Sequence, residues 1–304
     1  DDILEFLDPV LQAGFIIGTV KAVVIAVGLL SVVPLLVWLE RRLMGRFQVR
    51  LGPNRVGPFG LCQPIADSIK LLFKESIIQS SADKFLYHLA PAIVVFTAIV
   101  TFSVIPFGDS FTVFGQTIGL WGANINSGIL FVFAISGMGI YGMVLAGLSS
   151  NNKYSLMGGL RSSAQMISYE LTLGLSALSV IVLAGSLNLI DLVESQKTVP
   201  FILMQPLAFL LFFIAGVAET NRAPFDLPEA EQELVAGFHT EYTGMKFAMF
   251  FMGEYAAMVI GSALIVTLFL GGWSAGFGFD EAIANFSIGD FRIGGFIHLG
   301  IFLT

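Results

Sequence analysis

Long apolar runs separated by short polar stretches set the pattern of this chain. The runs occupy Gly14–Trp38, Leu86–Phe107, Gly128–Leu148, Ala164–Ala184, Phe201–Ala218 and Phe247–Leu270. Each is close to the ~20 residues that an α-helix needs to cross the hydrocarbon of a bilayer. A seventh run starts near Phe296, and the chain stops at Thr304. The pattern predicts an all-α polytopic membrane protein, a single membrane domain over residues 1–304. It has six complete transmembrane helices and the start of a seventh, with a truncated C-terminus. The chain opens on Asp1-Asp2, and the first run lacks a basic leader and a small-residue cleavage site. It therefore reads as a span and not as a signal peptide.

Composition agrees. Of 304 residues, 56% are hydrophobic and 12% charged, with a mean hydropathy of +0.85. Soluble domains carry about 25% charged residues. The formal net charge is −7, but the basic residues are unevenly placed. Arg41, Arg42, Arg46, Arg50, Arg55, Lys70, Lys74 and Lys84 follow the first span. Lys153 and Arg161 lie between the third and fourth, and Arg222 and Lys246 between the fifth and sixth. The alternate loops hold only Lys197 and Arg292, and Lys21 falls within the first span. The positive-inside rule puts the basic loops in the cytoplasm and the N-terminus outside.

Two cytoplasmic loops carry the chemistry. The first, residues 39–85, begins ERRLMGRFQVRLGPNRVGPFG, with five arginines and the turn-forming pairs Gly52-Pro53 and Gly57-Pro58. Within it, Leu61 to Ile78 predicts an amphipathic surface helix. Leu61, Ile65, Ile69, Leu72 and Phe73 share one face, opposite Asp67, Lys70 and Lys74. The second loop, residues 219–246, follows the fifth run. The stretch AETNRAPFDLPEAEQELVAGFHTEY holds Glu219, Asp226, Glu229, Glu231, Glu233 and Glu241 against the single cation Arg222. Asp226, Pro228, Glu229 and Glu231 fit the start of a helix, where its dipole favours anions. Glu233 and Glu241 have no such explanation.

Acids also lie inside the apolar runs. Glu170 is in SSAQMISYELTLGL, Glu254 is in MFFMGEYAAMVIG, and Glu219 closes the fifth run. A carboxylate in hydrocarbon is expensive, so such residues mark functional sites by default. All three fall toward the cytoplasmic side and predict one polar file with the acidic loop. Glu40, at the end of the first span, needs a partner that Arg42 and Arg46 are poorly placed to supply.

Other chemistries lack support. Gly137, Gly139 and Gly142 spell G-x-G-x-x-G, but a dinucleotide fingerprint needs a strand before it. Inside an apolar span these glycines read as close helix packing. Cys62 is the single cysteine, which excludes an internal disulfide and a self-contained iron–sulfur cluster. His88, His239 and His298 are scattered, so no metal site is expected from this chain.

Three long stretches carry a resemblance: ERRLMGRFQVRLGPNRVGPFGLCQPIADSIKLLFKE, KYSLMGGLRSSAQMISYEL and AETNRAPFDLPEAEQELVAGFHTEYTGMKFAMFFMGEYA. They resemble the family of H-type subunits of NADH–quinone oxidoreductase, respiratory complex I, in its bacterial form. The likeness runs from about Gly14 to Trp273. It implies a non-redox membrane component of a proton-translocating NADH dehydrogenase in the bacterial inner membrane. Such a component forms the chamber that admits quinone, the substrate, while FMN and iron–sulfur clusters sit on partner subunits. Partners would be the quinone-site subunits of the hydrophilic arm, small membrane subunits and lipid. By motif, the quinone chamber would involve Arg41, Arg46, Arg50, Arg55, Asp67, Phe225 and Asp226. The proton path and coupling would use Glu170, Glu219, Glu229, Glu231, Glu233, Glu241 and Glu254. The family usually has eight spans, and some members carry a further glutamate where this chain has Gly137.

Two other functions are weighed. One is the membrane anchor of a membrane-bound nickel–iron hydrogenase, for which the ETNRAPFDLPEAEQE stretch is the poorer match. The other is a standalone proton or cation transporter. Transporters commonly show inverted repeats, and none is evident here.

Overall fold

The computed structural model describes residues 9–113, 116–226, 235–274, 287–288, 291–292 and 302. The elements, in chain order, begin with helix α1 (Pro9–Phe47), a 3-10 turn at Pro58–Gly60 and α2 (Gln63–Phe73). Then come α3 (Lys84–Val104), the hairpin β1 (Ser110–Val113) and β2 (Gln116–Gly119), α4 (Gly128–Ser149), α5 (Lys153–Ala184) and α6 (Leu189–Ser195). The chain continues with α7 (Phe201–Met204), α8 (Pro206–Glu219), a 3-10 turn at Gly237–His239, α9 (Met245–Phe269), and the strands β3 (Ser287–Ile288) and β4 (Phe291–Arg292).

Among the described residues, five helices are long and apolar enough to cross a bilayer: Ile17–Phe47 of α1, and α3, α4, α5 and α9. Their mean hydropathies lie between 1.8 and 2.7. The run predicted as a span over Phe201–Ala218 is instead two helices, α7 and the 14-residue α8. The break falls at Gln205. Proline disfavours helical backbone in the residue before it, and Pro206 follows. Polar atoms freed inside an apolar bundle need partners. Gln205 finds them on α5: its Oε1 accepts from Ser179 Oγ at 2.6 Å, and its Nε2 donates to the Ser179 carbonyl at 3.1 Å. The seventh run, from Phe296, lies outside the described residues except Phe302.

Helix boundaries also shift. α1 continues past Trp38 to Phe47, so Arg41, Arg42 and Arg46 are helical and do not belong to the loop. α5 starts eleven residues before the predicted span, at Lys153, with Asn152 capping it through a 3.0 Å bond from Tyr154 N. Asp83 caps α3 by accepting from Phe85 N and Leu86 N. The hairpin β1–β2 and the short helix α6 sit where only outer loops were expected.

α3 packs against α4 and α9, α4 against α5, and α5 against α8. The main core gathers at the end of the bundle where α3 and α9 finish and α4 begins. Ile105, Ile129, Val132, Leu192, Phe212 and Phe269 are buried there. A smaller core at the opposite end joins Tyr87, Ala90, Val94, Ala146, Phe238, Tyr242 and Phe250. Glycine permits the close approach between them. A Cβ on Gly142 would stand 3.0 Å from the Ala90 carbonyl, and one on Gly253 would collide with Val94 Cγ1. The side chain of Val94 therefore fills space left by glycines on two neighbouring helices. This is the packing reading of the glycine pattern in α4.

Candidate functional site

Glu40 is the residue from which the site can be built. It lies near the end of α1, where the chain leaves the apolar bundle. Its Oε1 meets Nη1 of Arg222 at 3.3 Å, and its Oε2 accepts a 2.5 Å hydrogen bond from the Tyr255 hydroxyl. Arg222 Nε in turn lies 2.8 Å from Oε1 of Glu254, an ion pair by distance whose N–H is not aimed at the carboxylate as a hydrogen bond. The guanidinium also covers the Tyr255 ring, with Cζ 4.6 Å from its centroid. Burial lowers the basicity of Arg222, but Glu254, Tyr255 and Glu40 more than reverse this, so it stays charged.

Residues on α5 hold Arg222 in this position. Gln165 Nε2 lies within hydrogen-bond reach of the Ala218 carbonyl (2.9 Å), Asn221 Oδ1 (3.1 Å) and the Phe225 carbonyl (2.8 Å). Asn221 adopts a left-handed backbone, which asparagine tolerates, and donates to Ser162 Oγ at 3.3 Å. Phe225 is half-buried with its ring edge-on to Tyr169 at 5.6 Å, and Asp226 beside it is exposed. The charge of Asp226 acts on Glu254.

A cavity of about 100 Å³ lies behind this cluster, roomy enough for several waters. Glu254 and Glu219 both line it, with Thr97, Ser136 and Asn221 among apolar neighbours. Glu219 closes α8 and feels the charge of Glu170 on α5. The Glu170 carboxylate sits against α4 where Gly137 leaves space. A Cβ at Gly137 would be 2.7 Å from Glu170 Oε1. Glu40, Glu254, Glu219 and Glu170 thus form a discontinuous series of acids through the bundle.

The basic segment divides into two parts. Arg41 pairs with Asp67 of α2, and Lys70 and Gln63 also approach that carboxylate. Burial pushes Asp67 up, but the bond from Arg41 and its charge hold it below the usual carboxylate range. Arg42 donates to the Phe59 carbonyl at 3.1 Å and lies over the rings of Trp38 and Phe59. Arg46, Arg50 and Arg55 are exposed and have no ion pair among the described residues. The apolar face of α2 is uncovered among the described residues, with Ile65, Ile69, Leu72 and Phe73 all exposed.

The far end of the acidic loop is docked firmly. Glu241 Oε1 accepts from Asn152 Nδ2 at 2.6 Å, and its backbone carbonyl accepts from the Tyr87 hydroxyl at 2.8 Å. Ser155 Oγ donates to the Phe238 carbonyl at 2.9 Å, and Gly158 lets the turn at Gly237 sit directly on α5. Burial holds His239, in that turn, down to about 4. Glu229, Glu231 and Glu233 lie outside the described residues. No group of three or more metal-binding side chains occurs among the described residues.

Sequence reasoning noted Glu40 and Arg222 but not that they pair, and it missed Gln165 and Tyr255. The isolated carboxylate at the end of the first span was a signal for Glu40. Nothing local pointed to Gln165, whose role depends on a chain reversal more than fifty residues away.

The geometry defines a class: a multi-pass helical membrane protein whose inner acids connect to a charged, ordered surface. A family model described as NADH dehydrogenase matches residues 20–303. An H-type subunit of NADH-quinone oxidoreductase from Syntrophobacter fumaroxidans is 52% identical over 261 residues, covering 86% of this chain and 79% of the relative. Subunit 8 of the Thermus thermophilus NADH-quinone oxidoreductase is 53% identical over 255 residues, 84% of this chain and 69% of the relative. The H-type subunit from Protochlamydia amoebophila is 55% identical over 236 residues, 78% and 73%. The chain belongs to the NADH dehydrogenase family.

Proposed function

We propose that this chain is the membrane subunit of a proton-translocating NADH–quinone oxidoreductase that admits quinone and couples its reduction to proton movement. The observation that carries the reading is the Glu40–Arg222–Glu254 cluster. It joins a charged surface to a largely apolar cavity inside the bundle that Glu219 and Glu254 line. The names of the relatives supply the substrate and the assembly.

In this reading the subunit carries no redox centre. FMN and iron–sulfur clusters belong to the hydrophilic-arm partners, which dock on α2 and the arginine segment. Arg41, Arg46, Arg50, Arg55, Asp67, Phe225 and Asp226 line the approach of the quinone headgroup. The exposed apolar face of α2 suits an isoprenoid tail or a partner helix. Reduction of quinone takes up protons and changes the charge facing Glu40 and Asp226. That change reaches Glu254 through Arg222 and then Glu219 across the cavity both acids line, with Glu170 beyond it. Glu229, Glu231, Glu233 and Glu241 extend the acidic path at the surface. The N-terminus faces outward across the bacterial inner membrane.

A photoreactive quinone-site inhibitor tests this in the assembled complex. Label on the arginine segment, α2 or residues 222–226 supports the chamber. Label confined to the outer hairpin or α6 refutes it.

A further inference from the structure

The short helix α8 is fastened to α5 near both of its ends. At the inner end Gln165 of α5 reaches the Ala218 carbonyl, in the last turn of α8, at 2.9 Å. At the outer end Gln205, the residue before α8 begins, holds Ser179 of α5 at two points. The Ser179 hydroxyl donates to Gln205 Oε1 at 2.6 Å, and Gln205 Nε2 donates to the Ser179 carbonyl at 3.1 Å. Early α5 meets late α8 and late α5 meets early α8, so the two helices run antiparallel. The fastenings also match in length. Gln165 and Ser179 are 14 residues apart on α5, a rise of about 21 Å, and Gln205 and Ala218 are 13 apart, a rise of about 20 Å. They define one register of α8 on α5.

That register sets the spacing of two acids. Glu219 directly follows Ala218 as the last residue of α8, and Glu170 lies five residues beyond Gln165 on α5. The charge of Glu170 acts on Glu219. In lipid no hydrophobic force drives two helices together, so packing and polar contacts fix their relation. Between the fastenings Phe212 and Ala215 are buried, but a Cβ on Gly216 would meet nothing within 4 Å. The inner fastening is shared with the loop, because Gln165 Nε2 also reaches Asn221 Oδ1 and the Phe225 carbonyl. It follows any movement of those residues. The outer clasp stands on α5 itself, about 21 Å along the helix from Glu219.

We propose that Gln205 is a positioning residue: clasped to Ser179, it fixes the register of α8 on α5 and so the spacing of Glu219 from Glu170. The proposal deepens the coupling reading above and rests on it. Working groups must be held within about 0.5 Å of a productive geometry. A slip of one residue moves a helix about 1.5 Å along its neighbour, three times that tolerance.

The test uses the assembled complex in inverted membrane vesicles. NADH oxidation with a short-chain quinone gives turnover, a fluorescent pH-gradient probe gives proton uptake per NADH, and native gels confirm assembly. The variants are Q205L, S179A, Q205L/S179A, S179T and E219Q. Q205L and S179A are each expected to lower proton uptake per NADH roughly twofold or more, with turnover kept within about twofold of the parent. The double variant should match Q205L, because the Ser179 hydroxyl acts through Gln205. S179T keeps the hydroxyl and should retain parental uptake. A clasp that serves stability alone would lower the melting temperature and leave the ratio unmoved, and that result overturns the proposal. So do losses from Q205L and S179A that multiply. If Q205L fails to assemble, S179A against S179T decides, since it removes one hydroxyl and little volume. E219Q separates the two readings. Parental uptake in E219Q refutes the coupling role of Glu219 itself. Lowered uptake in E219Q beside parental ratios in Q205L and S179A refutes the clasp alone.

Discussion

Tyr87 of α3 and Tyr242 near the end of the acidic loop stack face to face, ring centroids 4.1 Å apart and planes 2° from parallel. Their hydroxyls point to different anchors. Tyr87 donates to the Glu241 carbonyl, and the Tyr242 hydroxyl lies 3.2 Å from Ser149 Oγ. Tyr242 is pushed up to about 12, chiefly by burial, so it remains a neutral hydroxyl. Tyr242→Phe keeps the stack and is expected to cost about 1 kcal/mol. Tyr242→Ala also opens a void and is expected to cost about 3–5 kcal/mol. Proteolysis of residues 235–245 in native membranes should be slow for the first variant and fast for the second. Equal rates would refute the stack as the anchor.

Gly137 gives Glu170 its place. A methyl there meets the tip of a flexible side chain, so Gly137→Ala is expected to cost little stability, under about 1 kcal/mol. It moves the Glu170 carboxylate nonetheless. Proton uptake per NADH should fall while the melting temperature stays within a degree or two. An unchanged ratio would show that the position of Glu170 is immaterial.

Gly253 and Val94 test packing without touching the acids. The Cβ of Gly253→Ala collides with a β-branched side chain held by α3, so overpacking of about 1–3 kcal/mol is expected. Val94→Ala in the same chain should restore part of the loss, because both changes act on one space. Thermal unfolding of the detergent-solubilised complex reads this directly. Additive destabilisation would contradict the contact.

His239 makes the loop acid-sensitive. Burial keeps its folded pKa near 4, against about 6.5 for a free histidine. Above about pH 6.5 neither state holds the proton, and docking is at full strength. Between about 6.5 and 4 the undocked state gains a proton that the docked state refuses, so stability falls as pH drops, by a few kcal/mol at most. Hydrogen exchange of residues 235–242 should quicken over that window, and His239→Phe should flatten the response.

The Arg41–Asp67 pair is half open to water, with Asp67 21% exposed. Such pairs contribute about 0–1 kcal/mol. Asp67→Asn is therefore expected to leave the melting temperature almost unchanged while raising the KM for quinone. An unaltered KM would remove Asp67 from the chamber.

Most of the span pattern was legible because lipid imposes a length and a composition on each crossing. Gly128–Leu148 and Phe247–Leu270 lie within two residues of α4 and α9. The exception at Phe201–Ala218 turned on Gln205-Pro206, a pair that hydropathy averages away. The acids were legible one by one, since charge inside an apolar run stands out. Their partners were not. Glu40 finds Arg222 and Tyr255 only when α1, the loop and α9 converge, and no periodicity encodes a meeting across 182 positions. Gln165 was silent because a glutamine near a membrane edge carries no compositional signal.

The length of α5 has a further consequence. Its 32 residues rise about 48 Å, whereas hydrocarbon is about 30 Å thick. The first turns, which bear Ser155, Gly158 and Gln165, therefore belong to a rigid post continuous with the crossing itself. The acidic loop rests on that post, so its height above the lipid follows from where the bilayer grips α5. Membrane thickness becomes a variable the site can feel, and lipids of shorter or longer chain should tune the complex without any change in sequence.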